Sequence, residues 1–527
     1  MTLADWIIII AFLALLISIG FFFSRKNRNI EDYFVAGRSM PRWIVAIAAT
    51  GTSISAGTFV GSPELGFNTD LTYMMNMVAA IAGGSLVAAI ILPKLYNAKT
   101  ITIYGYIGER FGESSKIATS ITFLAGQLFT SGSRLFIAAI AVSVMLFGSI
   151  NFSFLIYSII ILGVISTVYT MAGGIKGLLY IDTFQTLLIV FTGVVGLILV
   201  YLSIDSQPTL SEIWDTLKNG MIKAPAQSEY GMAADGTLTG WIQGNKLKIA
   251  DPSLRFDIPY NLIGALVGIT FFRIAQFSTD HEFIQRQLTC KSVKDASRSL
   301  IVSQLLCLPI VLIFLCIGLL FYVMYINDPA SALQDGVFTD ARDIFPQFIC
   351  NHIPAGLRGL MIAGLLAAAL STFNSAINAM ASSFVSDLYL PIRRKLGKSN
   401  ESSSVQISSS KKMVVLIGML LTGFSIFTAF LQQKSGLNLV DFATGVMCFA
   451  YAGMVGVFLV AIFTDRGNKT SVIAALIAGA LTVLLLQPYI LGPLSQILFG
   501  RTIFIAWSWW CPIGAIVSLI VCLSGKK

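Results

Sequence analysis

Two stretches of this chain place oxygen-bearing side chains where a buried helix would otherwise be apolar. Residues 43–61 carry Thr50, Gly51, Thr52, Ser53, Ser55, Gly57 and Thr58 near the middle of an apolar run. Residues 357–385 carry Ser371, Thr372, Asn374, Ser375 and Asn378 in the same way. At helical spacing Ser371, Ser375 and Asn378 share a face, flanked by Thr372 and Asn374. Such donors suit a hard monovalent cation. Backbone carbonyls freed by a break, together with two hydroxyls, hold it loosely enough for release, whereas clustered carboxylates favour divalent ions. The small residues of the first stretch permit that break. The competing use of the same residues is close helix packing, with interhelical hydrogen bonds worth about 0.6–2 kcal/mol each.

Ionisable residues at depth give a second signal. Arg134 falls near the middle of the apolar stretch 117–147. A guanidinium there costs about 3 kcal/mol on insertion scales and calls for a partner or a watery cavity. No acid shares its stretch, so the partner is a solute carboxylate, held bidentately, an acid from another stretch, or helix carbonyls. Asp182 opens the stretch 181–204, where it either complements a helix dipole or holds a cation at the depth of Ser375. Arg273, at the end of 258–277, is read as snorkelling and structural. In the segment after it, Asp280 is read as a helix cap and His281 as a hydrogen-bonded loop residue. No nucleophile–base pair, nucleotide motif or metal cluster supports an enzyme.

These residues need membrane helices to position them. The chain has 527 residues, 56% of them hydrophobic and 12% charged, and a mean hydropathy of +0.80. Soluble domains carry about 25% charge. Thirteen apolar stretches approach or exceed the roughly 20 residues that cross a bilayer as helix: 6–23, 43–61, 71–92, 117–147, 152–172, 181–204, 258–277, 300–326, 357–385, 412–431, 438–463, 471–486 and 502–523. Met1 to Trp6 lacks a basic leader region, so the first stretch is read as a retained span.

Most of the 35 Lys and Arg residues lie in alternate loops, after stretches one, three, five, seven, nine, eleven and thirteen. Basic loops stay cytoplasmic, which predicts an external N-terminus and a cytoplasmic C-terminus. The long external loop 205–257 is expected to hold short helices over the outer mouth. Residues 393–411, with a serine-rich centre from Ser402 to Ser410, read as a mobile linker.

The chain resembles the sodium:solute symporter family, which includes sodium/glucose, proline, pantothenate and sialic acid transporters. The resemblance rests on Glu31-Asp32-Tyr33-Phe34-Val35-Ala36-Gly37-Arg38, on Gly173-Gly174 followed by Asp182-Thr183-Phe184-Gln185, on Ile284-Gln285-Arg286 with Lys291-Ser292, and on the run Ala367–Asp387. It implies an all-α polytopic membrane protein with thirteen transmembrane helices and an inverted five-plus-five helix repeat (LeuT-like). The first helix of each repeat is broken. The implied divisions are a leading helix and loop (1–42), a first repeat (43–204), the external loop (205–257), a second repeat (258–463) and two trailing helices (464–527).

The resemblance also implies ligands. The family's main sodium site maps to the carbonyls of Gly51, Ile54 and Ala368 and the side chains of Ser371 and Thr372. A second sodium site in some members maps to Asp182, Thr372 and Ser375, with Asn374 where sialic acid transporters have serine. Solute contacts map to Ser53, Ser55 and Thr58, where sugar-transporting members carry Asn and Gln at the first and last positions. Arg134 looks like the arginine that holds the carboxylate in the sialic acid members. The implied function is sodium-driven uptake of a small polar solute by alternating access, sialic acid first, then another sugar acid, monocarboxylate, neutral sugar or polyol. Sodium, the solute and the bilayer are the expected partners, with no nucleic acid and no obligate protein. A plasma-membrane location, the inner membrane of a bacterium, is expected. An ion channel or a membrane sensor is the rival class.

Overall fold

A chain this apolar must close its backbone hydrogen bonds inside its own segments, and helices do so. The computed structural model describes residues 1–527 except 25–28, 150, 205–206, 224–240, 326–343, 397–402, 433–438 and 527. Apart from a short hairpin, Met221–Lys223 against Trp241–Gln243, its regular structure is helical. The helices that build and support the site are α1 (Leu3–Ser24), α2 (Arg42–Ser53), α3 (Ala56–Asn68), α4 (Met74–Leu86), α5 (Glu113–Phe147) and α6 (Phe152–Leu202). They continue with α7 (Thr270–Thr279), α8 (His281–Leu288), α9 (Val293–Met324), α10 (Leu357–Ser383), α11 (Ser403–Gln432), α12 (Leu439–Phe463), α13 (Lys469–Leu485), α14 (Pro488–Phe499) and α15 (Trp507–Leu523).

Among the described residues, eight helices are long and apolar enough to cross a membrane, or up to ten when each of two bent pairs counts as one span. Thirteen stretches become fewer long helices for physical reasons. The stretches 152–172 and 181–204 are joined in α6, which turns at Gly174, where φ is 58° and ψ −172°. That backbone is open to glycine and strained for other residues. The stretch 258–277 is divided between a π-helical piece, Gly264–Ile269, and α7. The last helix, α15, has 17 residues.

Two breaks shape the interior. Between α2 and α3 the chain bends by 56°. Thr50 and Thr52 hydroxyls donate back to Ala46 O (2.9 Å) and Ala48 O (3.2 Å), a bond that competes with the backbone ladder. Ile54 is extended (φ −97°, ψ 109°). Ser55 caps α3 by accepting from Gly57 N–H. The second break lies at Asp280 (φ −90°, ψ 115°), whose carboxylate caps α8 by accepting from Glu282 N–H at 2.8 Å.

This second break bears out Asp280 as a helix cap and corrects the placing of His281 and Arg286 in a loop. Every residue of α8 is buried, and His281 sits on that helix with its Nε2 3.3 Å from Ser382 Oγ. The residues from Ser402 to Ser410 are likewise no linker in their described part, Ser403–Ser410. They open α11, and Ser410 Oγ donates to Gln406 O one turn back.

α10 is the central post. Each residue from Met361 to Ser383 is buried. Its start is tied to α1 by Asp5, whose carboxylate accepts from Gly356 N–H (2.8 Å) and Gly359 N–H (3.0 Å), an acid placed where a helix N-terminus favours one. Within 205–257 the described parts include the hairpin, a helix at Leu210–Lys218 opened by a Thr209/Glu212 capping box, and Lys246. The Lys246 ammonium is buried and donates to Phe67 O and Thr69 O at 2.8 Å each. It closes the end of α3, so this segment is packed against the broken helix rather than free of it.

Candidate functional site

The site forms where the α2–α3 break meets α10. Ile54 N–H is the last amide to reach back into α2, to Thr50 O. The final carbonyls of a helix have no partner within it, so those from Gly51 onward are turned out of the ladder. Gly51 lies directly against α10 and α6. A Cβ at this position would collide with Thr186 Oγ1 and would stand 3.3 Å from Ser371 Oγ and 3.4 Å from Asp182 O. Only glycine permits that approach.

On α10, Ser371 Oγ donates to Asp182 Oδ1 at 3.0 Å and Thr372 Oγ1 to Ala368 O at 3.3 Å. A hydroxyl that has given its proton to an acceptor keeps its lone pairs, so both oxygens remain able to face a cation. Both amide atoms of Asn374 are buried with no hydrogen-bond partner among the described residues. A chain that leaves an oxygen unpaired at such depth fits a hard cation that needs it. The residues that would hold one are Gly51, Ile54 and Ala368 through carbonyls and Ser371 and Thr372 through hydroxyls.

Asp182 and Ser375 are engaged differently. Arg286, from α8, donates to Asp182 Oδ2 at 2.7 Å and also to Ser375 Oγ. Both members of this ion pair are buried, at 1% and 0% exposure. Sequence reading gave Arg286 no role here, although it ends the motif Ile284-Gln285-Arg286.

A cavity opens beside the α2–α3 break. Ser53, Ser55, Thr58 and Arg134 all line it, together with Tyr73, Phe272, Arg273, Gln276, Phe283 and Met447. Arg134 has a protein partner: its Nη1 lies 3.1 Å from Glu282 Oε2. Gln127 Nε2 donates to both Glu282 Oε2 and Asp280 Oδ1 at 2.9 Å, and Tyr451 O–H donates to Asp280 Oδ2 at 2.5 Å. Of the three partners open to Arg134, the acid from another stretch is therefore present. Sequence reading gave Glu282 no role, although it stands two residues after Asp280, the residue read as a helix cap. Arg273 departs from its reading too. It does not snorkel, but lies two turns before the second break and faces the cavity.

The sequence model of the sodium:solute symporter family matches residues 33–479. The chain belongs to this family. It is a sodium-coupled secondary transporter of a small polar solute, not an enzyme. This symporter is 27% identical to the sodium/sialic acid symporter SiaT of Proteus mirabilis, over 91% of this chain and 88% of that one. It is 24% identical to the sodium/sialic acid symporter NanT of Aliivibrio fischeri, over 91% and 87%. Its fold matches the substrate-bound outward-open structure of a Na+-coupled sialic acid symporter with a TM-score of 0.78, at 23% identity, covering 100% of this chain and 99% of that one.

The tight seat of Gly51 gives a direct test of the packing of α2 against α6 and α10 in this symporter. Gly51→Ala forces the helices apart, at a cost of about 1–3 kcal/mol for overpacking. The expected result is a severalfold higher sodium concentration for half-maximal uptake and a lower unfolding temperature. Unchanged sodium titration and thermal melts would contradict the contact.

Proposed function

We propose that this symporter carries a sugar acid inward, sialic acid first among the candidates, with sodium held between the α2–α3 break and α10. The observation that carries this reading is that Ser53, Ser55, Thr58 and Arg134 line one cavity, next to the seat of Gly51 against Ser371. Three hydroxyls suit a polyhydroxylated solute, and guanidinium groups in a buried site suit its carboxylate. The sialic acid specificity in the names of the relatives points the same way.

The sodium ligands in this reading are the carbonyls of Gly51, Ile54 and Ala368 and the hydroxyls of Ser371 and Thr372. A bound ion ties α2 to α10. Solute and ion then raise each other's affinity, as linkage requires. One sodium ion moving through about 100 mV releases about 2.3 kcal/mol, and a tenfold gradient adds about 1.4 kcal/mol. Together these support roughly several-hundred-fold accumulation of the solute. A second ion among Asp182, Asn374 and Ser375 enters only when Arg286 leaves the carboxylate, because two cations at hydrogen-bond distance from one acid repel each other.

The architecture in this reading is thirteen spans, with repeats at 43–204 and 258–463 flanked by 1–42 and 464–527, and with 205–257 outside. The breaks at Ile54–Ser55 and Asp280, each in the opening helix of its repeat, support the inverted arrangement. The basic loops support an external N-terminus and a cytoplasmic C-terminus in a bacterial inner membrane. The function is tested by uptake into proteoliposomes across a panel of labelled sugar acids, monocarboxylates and neutral sugars, with and without a sodium gradient. Sodium-driven accumulation of sialic acid is expected. Accumulation of neutral sugars alone, or uptake indifferent to sodium, would contradict the reading.

A further inference from the structure

We infer that Arg273, not Arg134, reads the negative charge of the solute; this rests on the proposal that the cavity takes a carboxylate. Both guanidinium groups line the same cavity, but their charges are balanced differently. Arg134 is paired with Glu282 at 3.1 Å, and Glu282 is fully buried. The remaining edge of Arg134, Nη2, faces Met447 Sδ at 3.8 Å. A solute carboxylate brought to Arg134 meets the Glu282 carboxylate beside it, and like charges at such range in a dry site oppose each other strongly.

Arg273 is held by neutral groups. Its Nη1 donates to Gln276 Oε1 at 2.6 Å and its Nη2 to Asn76 Oδ1 at 2.9 Å. Its Nε is buried with no partner. It takes part in none of the ion pairs formed among the described residues. Two amide oxygens therefore fix the plane of the guanidinium without cancelling its charge. An uncompensated guanidinium away from bulk water is costly, and cations so placed in membrane proteins mark a ligand or a pathway. An entering carboxylate supplies the missing anion. A neutral analogue leaves that charge unbalanced, which is how a buried site rejects it. Arg134, with its charge already balanced, is left as a hydrogen-bond donor to neutral oxygens of the solute.

The test compares a labelled sugar acid, sialic acid, with its methyl ester, which keeps every hydroxyl and loses the charge. In proteoliposomes the wild-type protein should favour the acid over the ester by ~100-fold or more in uptake efficiency. Arg273→Gln should bring that ratio close to one and leave sodium binding in the absence of solute unchanged, whereas a merely structural lesion would weaken sodium binding as well. Arg273→Lys should restore part of the preference. Asn76→Asp is the variant that guards against misfolding. It sets a carboxylate beside Arg273, completes an ion pair inside the protein, and should abolish the acid preference without stranding a charge. Arg134→Gln combined with Glu282→Gln should lower uptake of both solutes alike and keep the preference. A full acid preference in Arg273→Gln and Asn76→Asp would overturn the assignment alone. Sodium-driven uptake of neither solute by the wild-type protein would overturn the assignment and the proposed function together.

Discussion

Removing the side-chain oxygens of Ser371 and Thr372 together will raise the sodium concentration for half-maximal uptake by roughly 100-fold or more. Each oxygen lost from a charged partner costs about 1.5–3 kcal/mol, and tenfold in affinity is about 1.4 kcal/mol. The two oxygens lie on adjacent residues of a helix that is buried from Met361 to Ser383, so water has no ready route to replace them. The protein should still fold. Alanine keeps the helix, and the hydrogen bonds lost, Ser371 to Asp182 and Thr372 to Ala368, leave acceptors with other partners: Arg286 on the Asp182 carboxylate and the backbone on Ala368. Thr372→Ser separates the chemistry from the packing. It keeps the oxygen and removes a methyl group, and its sodium titration should stay close to that of the wild-type protein. Ordinary sodium activation in the Ser371→Ala, Thr372→Ala protein would contradict the role given to these hydroxyls.

Breaking the Asp182–Arg286 pair from one side will strongly destabilise the protein. Asp182→Ala leaves the Arg286 guanidinium buried opposite an empty space, and stranding one member of such a pair costs about 3–5 kcal/mol. The surroundings offer little relief. Arg286 Nε already has no partner, and its other bonds run to Glu282 O at 3.0 Å and to Ser375 Oγ. Adding Arg286→Met to Asp182→Ala removes both charges and should recover most of the loss, because an apolar replacement of a buried pair is often close to neutral. Thermal unfolding in detergent, monitored by size-exclusion fluorescence, reads both steps. The single variant should unfold far below the wild-type protein and the double variant near it. Transport should be lost in both, since the pair ties α6 to α8 beside the proposed ion site. A single variant as stable as the wild-type protein would contradict the burial of this pair away from water.

The part of the candidate site that was legible in the sequence is the part built from local composition. Thr50 to Gly57 interrupt an apolar run with small and hydroxyl residues, and the chain breaks among them. Ser371 to Asn378 place polar groups on a helix that is otherwise apolar, and that helix is the buried post of the bundle. The partners were not legible, because they depend on tertiary packing. Arg134 and Glu282 are 148 residues apart. Glu282 lies in a segment whose composition, His281 to Arg286, is that of a surface loop, and only its burial under α10 makes it α8. The polar trio Ser278-Thr279-Asp280 carries the same signal as the first break. It read as the end of a span because the residues after it are hydrophilic rather than apolar. Arg273 was misplaced for that reason: with the span ended at 277 it lay near a surface, and with the helix resuming at 281 it lies near the middle. The serine run from Ser403 was misread in the opposite sense. Its low hydropathy suggested a linker, yet serine hydroxyls can bond within the helix, as Ser410 does to Gln406 O, and the apolar helix beyond it extends backward through it.

In the proposed account, sodium coupling depends on oxygens from both sides of one gap, the carbonyls past Gly51 and the hydroxyls of α10, meeting around an alkali ion. The most direct measurement is a high-resolution density map of the protein in saturating sodium. It should contain a single compact peak between Gly51, Ile54 and Ala368, in contact with Ser371 Oγ and Thr372 Oγ1, at the roughly 2.3–2.6 Å that hard cations keep from oxygen. A map of that quality with no peak there, and with sodium bound elsewhere in the bundle, would contradict it.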